Sequence, residues 1–390
     1  MSVLTPEPSP GPVPPKLRPP KDSPQRAPQI AARRAAAKAA WLRRAGALVA
    51  VLAAVLATIA VTAGPIRAAG ANPTAAYKRY LMVPLTSVNG VVEVLIAATP
   101  LLFTGLAVAI AFKAGFYNIG GEGQFLVGAV GATAVALNLP DAPRPVALTT
   151  ALAVGAICGV AWMAIPAYLR TRFGIDEVVT TLLLNPVALL VVQGLLNGPW
   201  RNPKTGFANT IEFSGSYALP RLFGTRVHAG LLVALLLVVV TGVLVATTAT
   251  GLRLKAVGQA PGAALASGID VKGYQLKAAL ISGGVAGLGG AVQVCGVSHQ
   301  LTESISHNYG YTGIVVATLG ALSAIGVTLV ALLLGLIGIG AEKAQVSLHL
   351  PSYMGEIMSA TLLLTVVAAL VIRFWRPRWW KRLVAKGGAS

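Results

Sequence analysis

Ala229-Gly-Leu-Leu-Val-Ala-Leu-Leu-Leu-Val-Val-Val-Thr-Gly-Val-Leu-Val-Ala-Thr-Thr-Ala-Thr250 is a stretch of 22 residues without a single charge. A helix needs about 20 apolar residues to cross about 30 Å of hydrocarbon. In that solvent every backbone N–H and C=O must pair within its own segment, so the stretch reads as a membrane-spanning helix. Residues 46–63 form another uncharged run, of 18 residues. The short alternating segments of a transmembrane β-barrel do not occur. Composition agrees: 55% of the chain is hydrophobic and 11% charged, against about 25% charged in ordinary soluble domains.

Outward from residue 229, spans are expected at 46–64, 91–112, 121–138, 146–168, 177–197, 229–250, 278–297, 311–323, 325–341 and 356–373. A weak break at Ser323–Gly326 divides the eighth from the ninth. The expected fold is therefore all-α, a polytopic membrane bundle of about ten transmembrane helices filling residues 45–373. It lies between a Pro-rich basic tail, 1–44, expected to be disordered apart from a short basic helix at 31–44, and a basic tail, 374–390. Both tails are expected in the cytoplasm, because they concentrate Lys and Arg. Trp375, Trp379 and Trp380 should form an interfacial belt.

The net charge of +19 raises the question of nucleic acid. Nine Lys/Arg lie in residues 1–44 and six more from Arg373 onward, outside the apolar body. No aromatic-interleaved basic groove accompanies them, so the charge is assigned to orientation and anionic head groups, with no nucleic-acid partner. Cys158 and Cys295 lack ligand spacing and read as small hydrophobes, with no metal site. His228, His299, His307 and His349 fall in expected outside loops and read as solvated. The chain has no Gly-Lys dipeptide, hence no Walker A loop. Without HExxH, GxSxG or a His/Cys cluster, an enzyme reading has no catalytic residue to rest on. Charges inside the spans are scarce, which argues against proton or ion coupling and for an energy source supplied from elsewhere.

Three polar stretches interrupt the apolar body. Lys113-Ala-Gly-Phe-Tyr-Asn-Ile-Gly-Gly-Glu-Gly-Gln124 joins two spans by a glycine-rich turn, with Glu122 in the next helix's first turn, where the dipole favours a carboxylate. It reads either as a capped turn or as a pathway break with Asn118, Glu122 and Gln124 as its polar groups. In Asp176-Glu-Val-Val-Thr-Thr-Leu-Leu-Leu-Asn185-Pro186 the acids start a helix that Pro186 should kink, and Thr181 and Asn185 share a face. Glu177, Thr180, Thr181 and Asn185 join the candidate substrate path, although a buried Asn also serves to bond a neighbouring helix. In Gly251–Ile269, Pro261 suits the first position of a helix and Gly268 its stop. The intervening Gly262, Ala263, Ala264, Leu265, Ala266 and Ser267 would make a short surface helix, either a connector or a knob for a cytoplasmic partner. Gly283, Gly284, Gly287, Gly289 and Gly290 crowd one helix, as close packing requires.

In their order, Phe116-Tyr-Asn-Ile-Gly-Gly-Glu-Gly-Gln124, Asp176–Asn185, Asn197-Gly-Pro-Trp200, Gly251–Ile269, Leu280–Ala291 and Tyr309-Gly-Tyr-Thr-Gly-Ile314 resemble the permeases of binding-protein-dependent ABC importers, the nucleoside permeases above all. Ala321-Leu-Ser-Ala-Ile-Gly326 departs from them, since that family usually has a polar, Pro-containing turn there. The resemblance implies a type II-like ABC importer permease in a bacterial plasma membrane, multi-pass, carrying nucleosides. Its implied partners are a second homologous permease, a cytoplasmic ABC ATPase docked on Pro261–Gly268, and an extracytoplasmic solute-binding lipoprotein. This chain would bind no cofactor, ATP and Mg being used by the ATPase. The alternatives are a simple-sugar or branched-chain amino acid permease, or a stand-alone secondary transporter.

Overall fold

A computed structural model describes residues 53, 55–348, 350–351 and 353–374. The chain divides into two compact units, Val55–Ala368 and a second made of Met1–Ala54 with Ala369–Ser390. The second is described only at residue 53 and at 369–374, where the last helix continues. The expectations for tail 1–44, the basic helix at 31–44, His349, the tryptophan belt and residues 375–390 lie outside the described residues.

All regular elements among the described residues are helical, with two isolated β-bridges, Asn209 with Thr302 and Arg221 with His228. In chain order the helices are α1 Val55–Ala68, α2 Pro73–Leu81, α3 Val88–Lys113, α4 Gly121–Asn138, α5 Arg144–Tyr168, α6 Glu177–Asn197, α7 Gly230–Thr247, α8 Ala249–Gln259, α9 Pro261–Ala266, α10 Val271–Gln293, α11 Tyr309–Leu319, α12 Ala324–Leu348 and α13 Met354–Phe374. Helices α5 and α10 each run on through one π-helical turn, to Phe173 and Ser298.

Among the described residues, six helices are long and apolar enough to cross a membrane: α3, α5, α6, α7, α10 and α12. The sequence led us to expect about ten, and the difference has local causes. The first turn of α4 is Gly121-Glu-Gly-Gln124, which dilutes its apolar character. Helix α11 has 11 residues, about half the length a bilayer core requires. The described apolar part of α1 is also short. The break expected at Ser323–Gly326 lies a few residues earlier: α11 stops before Gly320, Ala321 and Leu322 take left-handed backbone (φ 51° and 55°), and α12 already begins at Ala324. The span expected at 229–250 ends early, because Thr248 turns extended and caps a separate α8 by accepting from Gly251 N at 3.1 Å. Pro186 lies inside α6 without ending it.

The core is built on α3 and α10. The apolar window of α3 is 83% buried and that of α10 67%, against 17% for α7 and 22% for α6. Backbone approach, rather than side-chain bulk, sets the packing of α10 on α4 and α5. A Cβ on Gly287 would stand 2.5 Å from Gly155 O and 2.8 Å from Gly159 Cα, and one on Gly290 would overlap Phe125 O. Only glycine fits those two crossings, the small-residue logic of membrane helix contacts.

Candidate functional site

Between α3 and α4 the chain runs non-helically from Ala114 to Gly120, buried against α6 and α10. A buried backbone without a ladder must find its partners in side chains, and here it does. Asn118, fully buried, donates through Nδ2 to Gln124 Oε1 and to Ser282 Oγ, both at 2.9 Å. Its Oδ1 accepts from Gly120 N at 2.8 Å and from Gln124 Nε2 at 3.0 Å. Ser282 passes its own hydrogen to Ala107 O at 2.6 Å. From α6, Thr181 Oγ1 accepts from Ile119 N (3.2 Å). Asn185 bridges the segment, accepting from Gly123 N (2.9 Å) and donating to Ile119 O (3.0 Å). Glu177, at the helix start capped by Asp176, meets Arg170 Nε at 3.0 Å and accepts from Tyr117 N at 3.4 Å.

Six of the seven residues expected on a pathway therefore gather here: Asn118, Glu122, Gln124, Glu177, Thr181 and Asn185. Thr180 does not join them; it donates to Asp176 O (3.0 Å) within its own helix. Asn118, Gln124 and Thr181 are at most 1% exposed, with their polar atoms engaged by one another and by backbone. These three, with Asn185, hold the segment in place as a clamp.

Glu122 and Asn185 also reach an opening. A cavity of about 480 Å³ is lined by both, together with Glu303, Ser304, Ser306, His307, Asn308 and Tyr311. The Glu122 carboxylate accepts from Gly310 N at 2.8 Å, so the N-terminal turns of α4 and α11 meet across it. They touch so closely that a Cβ on Gly310 would overlap the Glu122 backbone. A larger cavity, about 580 Å³, lies on the other side of the 307–311 turn and shares His307, Asn308 and Tyr311 with the first. Glu342, Gln345, Glu356 and Ser359 help to line it. His307 and Asn308 are consecutive left-handed residues (φ 43° and 61°), a costly backbone for non-glycine residues. The sequence reading missed this wall. Its signal was a polar run, Ser304–Asn308, directly before an apolar helix start.

At the far end of the same segment lies the short helix expected at Pro261–Gly268. Pro261 opens α9 and Gly268 ends it in left-handed backbone (φ 76°). Ala264 is 4% exposed, whereas Leu265 is 66% exposed. Ala264 therefore anchors α9 to its own chain and Leu265 points away. Close by, α8 touches the clamp's root: a Cβ on Gly258 would overlap Lys113 O, and Gln275 Nε2 reaches Ala114 O and Gly115 O at 3.5 Å.

One loop histidine departs from the solvated reading. His228 is 2% exposed beneath Gly230 and Gly296, and neither ring nitrogen has a partner among the described residues. Burial, reinforced by nearby His299, pushes its pKa down to about 4. The loop between α6 and α7 closes over it because Pro220 O and Leu222 N bond back to Ala229 N and Val227 O.

The family described as branched-chain amino acid transport system / permease component matches residues 90–368. The chain is 34% identical to a glucose ABC transporter permease protein of Haloferax volcanii, over 82% of this chain and 86% of that one. It is 36% identical to a guanosine ABC transporter permease protein of Bacillus subtilis, over 71% and 80%. A nucleoside ABC transporter permease protein of Lactococcus lactis is 28% identical over 79% and 87%. No solved structure matches the chain.

Proposed function

The chain belongs to the permease components of the branched-chain amino acid transport family, a multi-pass protein of the cell membrane, and from that membership we propose that it forms the translocation pathway of an ATP-driven nucleoside importer. The observation that carries the choice of solute is the similarity to guanosine and nucleoside permeases across most of the chain. Sugar is the second reading, favoured by the glucose permease relative.

In this reading the chain pairs with a second, similar permease and receives solute from an extracytoplasmic binding lipoprotein. ATP and Mg are used by a cytoplasmic ATPase. The six long helices together with α1, α4, α13 and the short α11, whose crossing is completed by the non-helical 299–308 stretch, make ten passages, with both termini in the cytoplasm. The exposed face of α9, centred on Leu265, docks the ATPase. Movement of α9 passes through α8 and α10 to the Lys113–Gly115 root, along the clamp, and to the Glu122–Gly310 contact that borders the cavities. Asn118, Gln124, Glu177, Thr181 and Asn185 support that route, and Glu122 faces the solute.

Two measurements test this. The first is ATP-dependent uptake of radiolabelled guanosine, glucose and leucine by the assembled complex in proteoliposomes. Guanosine uptake is expected; uptake of leucine alone would overturn the choice of solute. The second is Leu265→Glu. Because Leu265 is exposed, the variant should fold normally yet lose the ATPase or its solute-stimulated hydrolysis. Unchanged hydrolysis and uptake would mean that α9 is a connector. Ala264→Glu is the poorer probe, since it buries a charge inside the chain.

A further inference from the structure

The 480 Å³ cavity falls within the roughly 300–1,000 Å³ typical of small-molecule sites, and its lining has a marked chemical bias. Glu122 and Glu303 line it, and Glu342 and Glu356 line its larger neighbour. Among the described residues, no Lys or Arg lines either cavity. A solute carboxylate would meet acids there. Hydroxyl and N–H groups would instead meet a row of acceptors.

The side chains also differ in what they have free to offer. Asn185 is committed at both ends of its amide, to Gly123 N and Ile119 O. One oxygen of Glu122 already accepts from Gly310 N. By contrast the side chains of Ser304, Asn308 and Tyr311 make no hydrogen bond among the described residues. Ser306 is the most telling: it is 3% exposed and lines the cavity. Its Oγ stands within reach of the Glu122 carboxylate as a poorly aligned donor and meets full hydrogen-bonding geometry with no group among the described residues. A buried hydroxyl is rarely left unpaired, because the desolvation is uncompensated.

Resting on the permease reading, we propose that this cavity is a solute subsite for a vicinal-diol face, the feature that a ribose and a pyranose share. Glu122 and Glu303 accept the paired hydroxyls, while Ser306 and Asn308 complete the contact. The same acids repel an amino-acid carboxylate. Contacts of this kind, polar and few, suit a pathway that must release what it holds.

The test uses the full complex in proteoliposomes, with one and the same binding protein saturated by each solute in turn. Uptake of guanosine is compared with that of 2′,3′-dideoxyguanosine, with glucose against a 2,3-dideoxy sugar as the second arm. Ser306→Ala removes a hydroxyl that stands beside the Glu122 carboxylate, and Glu303→Gln alters an exposed residue at the cavity's rim while keeping an oxygen for Asn197 Nδ2. We expect the unmodified complex to prefer the diol-bearing solute in the arm it transports, and both variants to lower that preference by about tenfold, the worth of one hydrogen bond to a charged or buried partner. Because the binding protein is unchanged, a change in the ratio belongs to this chain. Equal ratios in all three complexes would overturn the subsite while leaving the permease reading intact. Uptake of leucine and of neither guanosine nor glucose would overturn both.

Discussion

Two non-helical segments precede helix starts that meet at Glu122 and Gly310, and they are built in opposite ways. The 114–120 segment before α4 contains Asn118, which is fully buried and has its side-chain amide atoms engaged at 2.8–3.0 Å. The 299–308 segment before α11 ends in His307 and Asn308, exposed and left-handed, with cavities on either side. The first spends its polar groups on holding the backbone, whereas the second ties down Gln300 and Glu303 through Asn209 and Asn197 and leaves the side chains of Ser304 and Asn308 open. A polar residue in an apolar bundle is therefore no marker of a pathway until its partners are counted.

The largest effect should come from breaking the clamp. Asn118→Leu strands Gln124 Oε1 and the Gly120 N–H, each at about 1–3 kcal/mol when buried, and removes the donor to Ser282 Oγ. Several kcal/mol of stability should be lost, read as a lower unfolding midpoint in detergent and a poor yield of assembled complex. Asn185→Leu should follow, with Gly123 N and Ile119 O left unpaired. In both, uptake should fall together with folded protein. Normal stability with lost uptake would return these residues to the pathway and erase the contrast.

Much of the first segment was legible in the sequence and little of the second. Glycines around Asn118, with a carboxylate in the following first turn, already announce a non-helical start. Thr181 and Asn185, spaced four apart, announce a shared face. Their partners could not be read, because Asn118 meets Ser282 across 164 positions and Glu122 meets Gly310 across 188. Helix positions came through well for the same reason: hydrophobic runs are local. Helices α2 and α8 are absent from that reading, since neither has the composition of a span and each is fixed by a cap, Asn72 and Thr248. The solvated expectation for His228 failed because its burial comes from Gly296, far along the chain.

A middle-sized effect tests the loop before α7 that carries His228. His228 has its pKa pushed from 6.5 down to about 4 by burial. Above pH 6.5 the ring is neutral in both folded and unfolded chains, and its burial adds no pH dependence. As pH falls below 6.5 the unfolded chain takes up a proton that the folded chain refuses, so stability is lost progressively until about pH 4. At about 1.4 kcal/mol for each tenfold change in proton affinity, the loss reaches roughly 3 kcal/mol. His228→Leu should flatten that acid limb of the unfolding midpoint. An unchanged limb would assign the loss to other groups.

The smallest effect on stability, and the sharpest on the comparison, is expected at Asn308. Its backbone sits at φ 61°, where glycine is at ease and asparagine is tolerated. Asn308→Gly relieves that conformation but gives the unfolded chain more freedom, two terms of opposite sign that leave stability within about 1 kcal/mol of the unmodified protein. The side chain makes no hydrogen bond among the described residues, so no buried partner is stranded. If the amide only permitted the turn, glycine would do its work equally well and uptake would be unchanged. If it contacts solute, as its place in the wall of both cavities implies, uptake should fall several-fold at constant ATPase binding and constant unfolding midpoint. That separation of transport from stability is what the clamp residues should never show. Asn308→Val supplies the control: a β-branched residue cannot hold the left-handed turn without a further cost of about 1–3 kcal/mol, so stability and uptake should then fall together.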